Sequence, residues 1–372
     1  MRIKNLKKNW VLKLSFLSLF ASIIFLSSCL EQINLDIPKG TEETIVIQGV
    51  LIKGNPSVLD LTISRLFDFT VEGLSRINVS LVELSDEAGN SIEIDARGTG
   101  IYYREFFDND PDINIEIGKS YKIKVRTFDG RVYESTLEPM LDVPKINDFQ
   151  AKKVTKELIT PDEEIVIDSF IEFSIDTDLR AAGQTENTNI KWDIQRVFRI
   201  TDFPIEFGKD PKTCYVTNNL DITQLKVLGS QDIDATNLMD YTVFDEQLNF
   251  YFAEGYYGVI IQQSLSPRAF TYFNQISQIL TRDGNMLEPP AGKVRSNFTN
   301  MDDPTDEAFG FFYATVHDTA RVFVSVDFAG FQNNLCPPNV PSPPGGGCPL
   351  DICCDCLSAD ISTVTQPDWW EE

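Results

Sequence analysis

His317 is the only histidine among 372 residues, so a serine- or cysteine-based nucleophilic mechanism would have one side chain available as its base. No G-x-S-x-G elbow accompanies it. H-E-x-x-H and G-x-x-x-x-G-K-[ST] are also missing, which leaves zincin hydrolysis and P-loop phosphoryl transfer without their required groups. The 56 acidic residues guarantee carboxylate pairs by chance, yet no spacing singles out two of them for glycoside hydrolysis. No catalytic residue is assigned, no cofactor is expected, and the chain is read as a protein that is not an enzyme. Asp108, Asp110 and Asp112, in DNDPDINIE, do have the one-three-five spacing of a calcium loop. Ile113 stands where an EF-hand needs glycine and Lys119 where it needs the bidentate glutamate, so the expectation is at most a weak, looser calcium site. Cys214, Cys336, Cys348, Cys353, Cys354 and Cys356 are spaced irregularly, with a vicinal pair, where structural zinc usually has two separate C-x₂₋₄-C hooks. They are disulfide candidates, with the connectivity left open.

The seventh cysteine, Cys29, points to other chemistry. The opening MRIKNLKK is basic and no acidic residue precedes Glu31, as in the n-region of an export signal. The apolar run from Leu14 to Leu26 would cover roughly 20 Å as a helix against a hydrocarbon core of about 30 Å, too short to span comfortably. Leu26-Ser27-Ser28-Cys29 then resembles the lipobox of bacterial lipoproteins, where the thiol forms a thioether to diacylglycerol and the cysteine becomes the new N-terminus. Lipidation is expected at Cys29, because two or three acyl chains hold a protein at a bilayer where one does not.

The mature chain is strongly acidic. Loss of Arg2, Lys4, Lys7, Lys8 and Lys13 with the leader leaves 27 basic residues against 56 acidic ones, a net charge of −29. Such a surface repels nucleic acid, and none is expected as a partner.

The elements that must carry these residues are mostly strands. Ile45 to Val50, Leu59 to Ser64 and Tyr121 to Arg126 have strand character, the last with Tyr121, Ile123 and Val125 on one face and three cations on the other. Asp129-Gly130 between that strand and Arg131-Val132-Tyr133-Glu134 signals a two-residue hairpin. Further strands are expected over Ile171–Ile175, Ile190–Ile194 and Tyr256–Gln263, while residues 202 to 250 show no clear period. One helix is expected, with Ser266 as N-cap, Pro267 at N1 and its end at Asp283-Gly284. Gly310–Val316 and Arg321–Val326 are expected to pair as a hairpin across HDTA.

The fold expected is mainly β. A signal peptide (1–28) and tether (29–43) lead into an Ig-like or prealbumin-like β-sandwich (44–142). A larger β-rich domain with one or two helices follows (143–330), then a disulfide-stapled, Cys/Pro/Gly-rich C-terminal segment (331–372).

Taken in order, INLDIP after Cys29, IVIQGVL, GTGIYYREF, GKSYKIKVRTFDGRVYES, QQSLSPRAFTYFNQI, PPAGKVRSNFTNMDDPTDEAFGFFYAT and CCDCLSADISTVTQPDWW resemble the family called domain of unknown function 4249, exported lipoproteins of Bacteroidota. The DNDPD insertion, the PSPPGGG loop and the extra vicinal cysteine depart from its pattern. The resemblance implies an accessory lipoprotein of the outer membrane, encoded beside a TonB-dependent β-barrel receptor; a surface-exposed position is expected over a periplasmic-facing one. It carries over no catalytic residue. The expected function is therefore a lipid-anchored, non-catalytic accessory or capping partner of a TonB-dependent transporter. A surface adhesin or glycan-binding β-sandwich is the alternative.

Overall fold

The computed structural model describes residues 44–66, 75–108, 110–160, 162–203, 210–220, 225–281, 294–336 and 350–371. The leader, the tether, Cys29, the PSPPGGG loop, Cys348 and Asp283-Gly284 lie outside the described residues.

The protein is mainly β. In chain order the strands are β1 (Ile45–Lys53), β2 (Ser57–Arg65), β3 (Leu81–Asp86), β4 (Ser91–Glu93), β5 (Ala96–Gly98), β6 (Ile101–Phe106), β7 (Ser120–Arg126), β8 (Val132–Ser135), β9 (Glu138–Pro139) and β10 (Ile146–Ile159). There follow β11 (Ile165–Asp178), β12 (Asn189–Thr201), β13 (Thr213–Asn219), β14 (Lys226–Leu228), β15 (Asn237–Gln247), β16 (Tyr256–Leu265), β17 (Phe298–Asn300), β18 (Phe312–Val324) and β19 (Ser362–Thr363). The helices among the described residues are α1 (Pro267–Leu280) and two single turns, α2 (Val326–Ala329) and α3 (Asp351–Cys354). None is long and apolar enough to cross a membrane.

One ten-stranded sheet runs through the described body in the order β19-β13-β12-β16-β18-β1-β2-β6-β5, with β14 beside β12. Two smaller sheets contribute to its two main cores. The six-stranded sheet β17-β8-β7-β3-β4, with β9 on β7, supplies Val82, Leu84, Tyr121, Ile123, Val125 and Tyr133 to a core shared with Ile47, Leu51, Leu59, Leu61 and Ile63. The three-stranded sheet β10-β11-β15 supplies Phe149, Ile171, Phe173, Val243 and Phe244 to a second core with Trp192, Ile194, Tyr256 and Ile260. Period-two alternation sends these side chains inward: Tyr121, Ile123 and Val125 have 0% exposure. The Asp129-Gly130 hairpin joins β7 to β8. Its closing bond runs from Thr127 N–H to the Arg131 carbonyl at 3.0 Å, so the loop holds three residues rather than two, with Gly130 at φ 97°.

The HDTA hairpin is not formed. Residues 317 to 320 continue a single strand, β18, whose Phe312–Val316 run parallel to Gly49–Lys53 and whose His317–Val324 run antiparallel to Tyr256–Gln263. The physical reason is that His317-Asp318-Thr319-Ala320 contains neither glycine nor asparagine to favour a tight hairpin turn, while a partner strand waits on either side of it. At the crossing, the fully buried Ser264 and Thr315 knit the backbone: Ser264 Oγ donates to the Leu141 carbonyl at 2.6 Å and Thr315 Oγ1 to the Ser264 carbonyl at 2.9 Å. Asn297 acts as a one-residue strand, its Nδ2 donating to the Phe312 carbonyl at 2.7 Å and its Oδ1 accepting from Phe312 N at 3.0 Å.

Residues 202 to 250, which show no period in sequence, contribute β13, β14 and β15. The other face of the long sheet carries two further apolar clusters. Tyr272, Phe273 and Ile276 of α1 pack with Phe311 and Tyr313, while Trp369 and Trp370 pack with Tyr215, Tyr257 and Phe323. Two disulfides tie the C-terminal segment down: Cys214–Cys356, 142 residues apart, and Cys336–Cys353, 17 apart. Cys354 is disulfide-bonded as well.

Candidate functional site

Apart from the paired cysteines, the sequence-selected residues that are described, Asp108, Asp110, Asp112 and His317, do not converge on one site. Asp108 pairs with Lys53 at 3.1 Å, and Asp110 and Asp112 flank the Arg104 guanidinium at 3.5 and 3.6 Å. Cations thus take the place of the converging oxygen shell that calcium requires. Among the described residues, no group of three or more His, Cys, Asp or Glu side chains is arranged to hold a metal ion. His317 stands on the exposed side of β18 without a hydrogen-bond partner among the described residues. Its neighbour Asp318 is committed to the backbone, accepting from Ile146 N and Thr319 N, both at 2.9 Å. No base, nucleophile and orienting group come together around His317.

Two other features stand out, and neither carries a sequence motif. The first is a groove of about 270 Å³ between α1 and the outer side of β1 and β2, lined by Gln48, Val50, Asp60, Thr62, Tyr272 and Phe273 and backed by Phe311 and Tyr313. Register explains its floor: Gln48 lies opposite Thr62 and Val50 opposite Asp60, on the face of β1–β2 that turns away from the buried Leu51 and Leu59. Its wall is the N-terminal part of α1. Ser266 caps this helix by accepting from Ala269 N at 3.0 Å and donates to the buried Glu138 at 2.5 Å.

Behind the wall lies a polar network that fixes the aromatic rings. Tyr313 Oη donates to Gln263 Oε1 at 3.0 Å, Gln263 Nε2 donates to Asp193 at 2.7 Å, and Lys191 Nζ donates to both Asp193 oxygens at 2.7 and 2.9 Å. Lys191 also lies 4.9 Å above the Phe273 ring. Burial pulls the Lys191 ammonium downward, but Tyr313 and Asp193 more than offset it, and its pKa is held above the usual lysine value. Tyr272 stacks on Phe311 at 4.8 Å, and Phe273 meets Tyr313 edge to face at 5.1 Å. The groove is therefore walled by side chains that cannot easily turn away.

The second feature is an arm. β10 and β11 pair from Ile146 to Ile159, but β15 accompanies β11 only as far as the Phe170–Gln247 pair. Beyond it the described residues 155–160 and 162–168 are a two-stranded ribbon. Its apolar side chains are open to solvent: Ile159 is 77% exposed, Ile165 68% and Ile167 73%. Ile159 faces Ile165 across the ribbon and Leu158 faces Val166, so both surfaces are apolar near the tip. The turn closes through Thr160 N–H to the Glu164 carbonyl at 2.9 Å. A bare two-stranded ribbon with exposed isoleucines is a poor structure in water and a good template for association.

The periodic alternation of β10 and β11 offered a signal for this arm. The groove offered none, because Gln48, Asp60 and Thr62 read as an ordinary solvent face and Tyr272 as part of a helical stripe.

The family model described as "Domain of unknown function (DUF4249)" matches residues 31–321. No curated protein and no solved structure matches the chain.

Proposed function

The chain belongs to the DUF4249 family, and on that premise we propose that it is a lipid-anchored protein of the outer membrane, facing outward, that works by binding rather than turnover, as an accessory partner of a TonB-dependent β-barrel transporter. The observation that carries this reading is the arm, whose exposed Ile159, Ile165 and Ile167 sit on strands with unpaired edges. A β-rich partner offers what such a ribbon lacks, strand edges for its backbone and an apolar surface for its side chains. Cys29 would hold the body at the bilayer, within reach of a barrel embedded in it.

Affinity purification of the full chain from detergent-solubilised envelopes is expected to recover a TonB-dependent barrel. Ile159→Asp combined with Ile167→Asp is expected to abolish that recovery while the protein remains folded and envelope-bound. Repeated recovery of no barrel by the parent chain would overturn the reading.

A further inference from the structure

Four polar side chains in the groove beside α1 are left unused by the fold. Gln48, Asp60, Thr62 and Tyr272 have no hydrogen-bond or ion-pair partner among the described residues. Tyr272 is only 9% exposed, yet its hydroxyl is not one of the buried polar atoms left without a partner, so it opens on the groove and is available there. Other buried tyrosines of the protein spend their hydroxyls within the fold. Tyr102 Oη accepts from Val79 N at 2.9 Å, Tyr121 Oη from Glu116 N at 2.7 Å, and Tyr313 Oη donates within the network behind the wall. Burial alone pushes the Asp60 carboxyl and the Tyr272 hydroxyl up, with no neighbouring charge or hydrogen bond acting on either. Both groups are thus open to a ligand, Asp60 on the floor of the groove and Tyr272 on a wall held rigid from behind.

The chemistry of the four groups selects among ligands. Ionised Asp60 only accepts, while Gln48, Thr62 and Tyr272 both donate and accept. An anionic ligand would meet the Asp60 charge with no cation in the lining to balance it. An ammonium ligand would only donate, and the donors of Gln48, Thr62 and Tyr272 would stay unused. A ring carrying several hydroxyls satisfies all four and lays its C–H surface on Val50 and Phe273.

We propose that this groove is a binding site for a neutral carbohydrate, with Asp60, Gln48, Thr62 and Tyr272 holding its hydroxyls. The face is long enough for more than one ring. Across β2 from Asp60 stands Tyr103, in register on β6, its ring covered by the Arg97 guanidinium at 4.2 Å. An oligosaccharide crossing β1, β2 and β6 would pass over these residues in turn. The site stands independently of the docking arm and shares no residue with it.

Isothermal titration of the full chain in detergent against neutral hexasaccharides of glucose, mannose, xylose and galactose, with choline chloride as a cation control, tests the assignment. At least one hexasaccharide should bind, with an affinity insensitive to added salt. Asp60→Ala should weaken it by about tenfold or more, and Gln48→Ala and Tyr272→Phe by about threefold to tenfold each. Asp60 and Gln48 are solvent-accessible, so their variants should keep the parent's thermal midpoint. Binding of no hexasaccharide, binding unchanged in all three variants, or a response to choline in place of sugar would each overturn the proposal.

Discussion

The six-stranded sheet covers one half of the long sheet and the three-stranded sheet the other, so two sandwiches share one sheet, and they are closed by different means. The N-terminal core is apolar and closes by packing: Leu51, Leu59, Leu61, Ile63, Ile123, Val125 and Phe312 all have 0% exposure, and no disulfide touches them among the described residues. The second core admits a charged cluster, in which Arg196 pairs with Glu246 and Tyr256 Oη donates to Glu246 at 2.6 Å. The cysteines of both disulfides belong to it as well. The difference follows from the covering sheets. Six strands cover the first half of the long sheet, whereas three cover the second, and one pair of these runs on into the arm. The area those three strands leave open is filled by Leu335, Ile352, Cys353 and Cys356 of the C-terminal segment. A short polar segment of that kind has little packing energy of its own and gains most from being tied covalently.

The largest effect expected from this contrast is therefore confined to the second sandwich. Cys214→Ala with Cys356→Ala opens a link across 142 residues, and the loss should be about 2–5 kcal/mol in denaturant unfolding. Hydrogen exchange should show where it falls. Amides of β12, β13 and residues 350–371 should exchange faster, while those of β1, β2 and β7 keep their protection. Equal loss in both halves would mean that the shared sheet makes them one cooperative unit and would erase the distinction.

How much of this could be read from the chain depends on the range of the interaction responsible. Tyr121 to Arg126 alternates, Asp129-Gly130 turns and Ser266-Pro267 starts a helix because each depends on neighbours in sequence, and all three are found. β18 departs from the expected hairpin because local pattern says where a chain is extended but not which strand lies beside it. Its parallel pairing with β1 joins residues more than two hundred positions apart. The strands between 202 and 250 were hidden for a related reason, since their apolar residues face a core assembled from distant segments. The cysteines could be recognised as disulfide partners, but their pairing could not be read, because spacing places no Cα atoms. The groove was least legible of all. Its significance lies in partners that Gln48, Asp60 and Tyr272 do not have, a property of the folded protein that no sequence pattern encodes.

A mid-sized effect should appear in the first sandwich alone. Gly310 precedes β18 at φ 92°, and a Cβ there would lie 2.1 Å from the Ile47 carbonyl oxygen of β1. Gly310→Ala must strain the backbone or push β1 and β18 apart, with an expected cost of about 1–3 kcal/mol. The accompanying rise in exchange should be centred on Gly49–Lys53 and Phe312–Val316. If β12 and β13 lose protection to the same extent, β18 transmits the damage, and closure by packing is less local than the two cores suggest.

The smallest effect tests the seam at which the two modes of closure meet. Glu138 is 1% exposed and receives hydrogen bonds from Ser266 at 2.5 Å and Thr136 at 3.0 Å, so it ties β9 to the start of α1. Burial pushes its carboxyl above the ordinary 4.5 more strongly than these donors and the Arg268 charge pull it down. The folded protein thus holds this proton more tightly than the unfolded chain does. The stability gained is fully present below pH 4.5 and is lost as the pH rises through the raised folded value. Glu138→Gln keeps the shape and carries no titrating proton. The variant should match the parent in acid and become the relatively more stable of the two as pH increases, in paired chemical denaturation series. A difference that stays flat, or that grows toward acid pH, would mean that Ser266, Thr136 and Arg268 hold Glu138 ionised, and that a charged tie at this seam contributes to closing the N-terminal sandwich as one does in its neighbour.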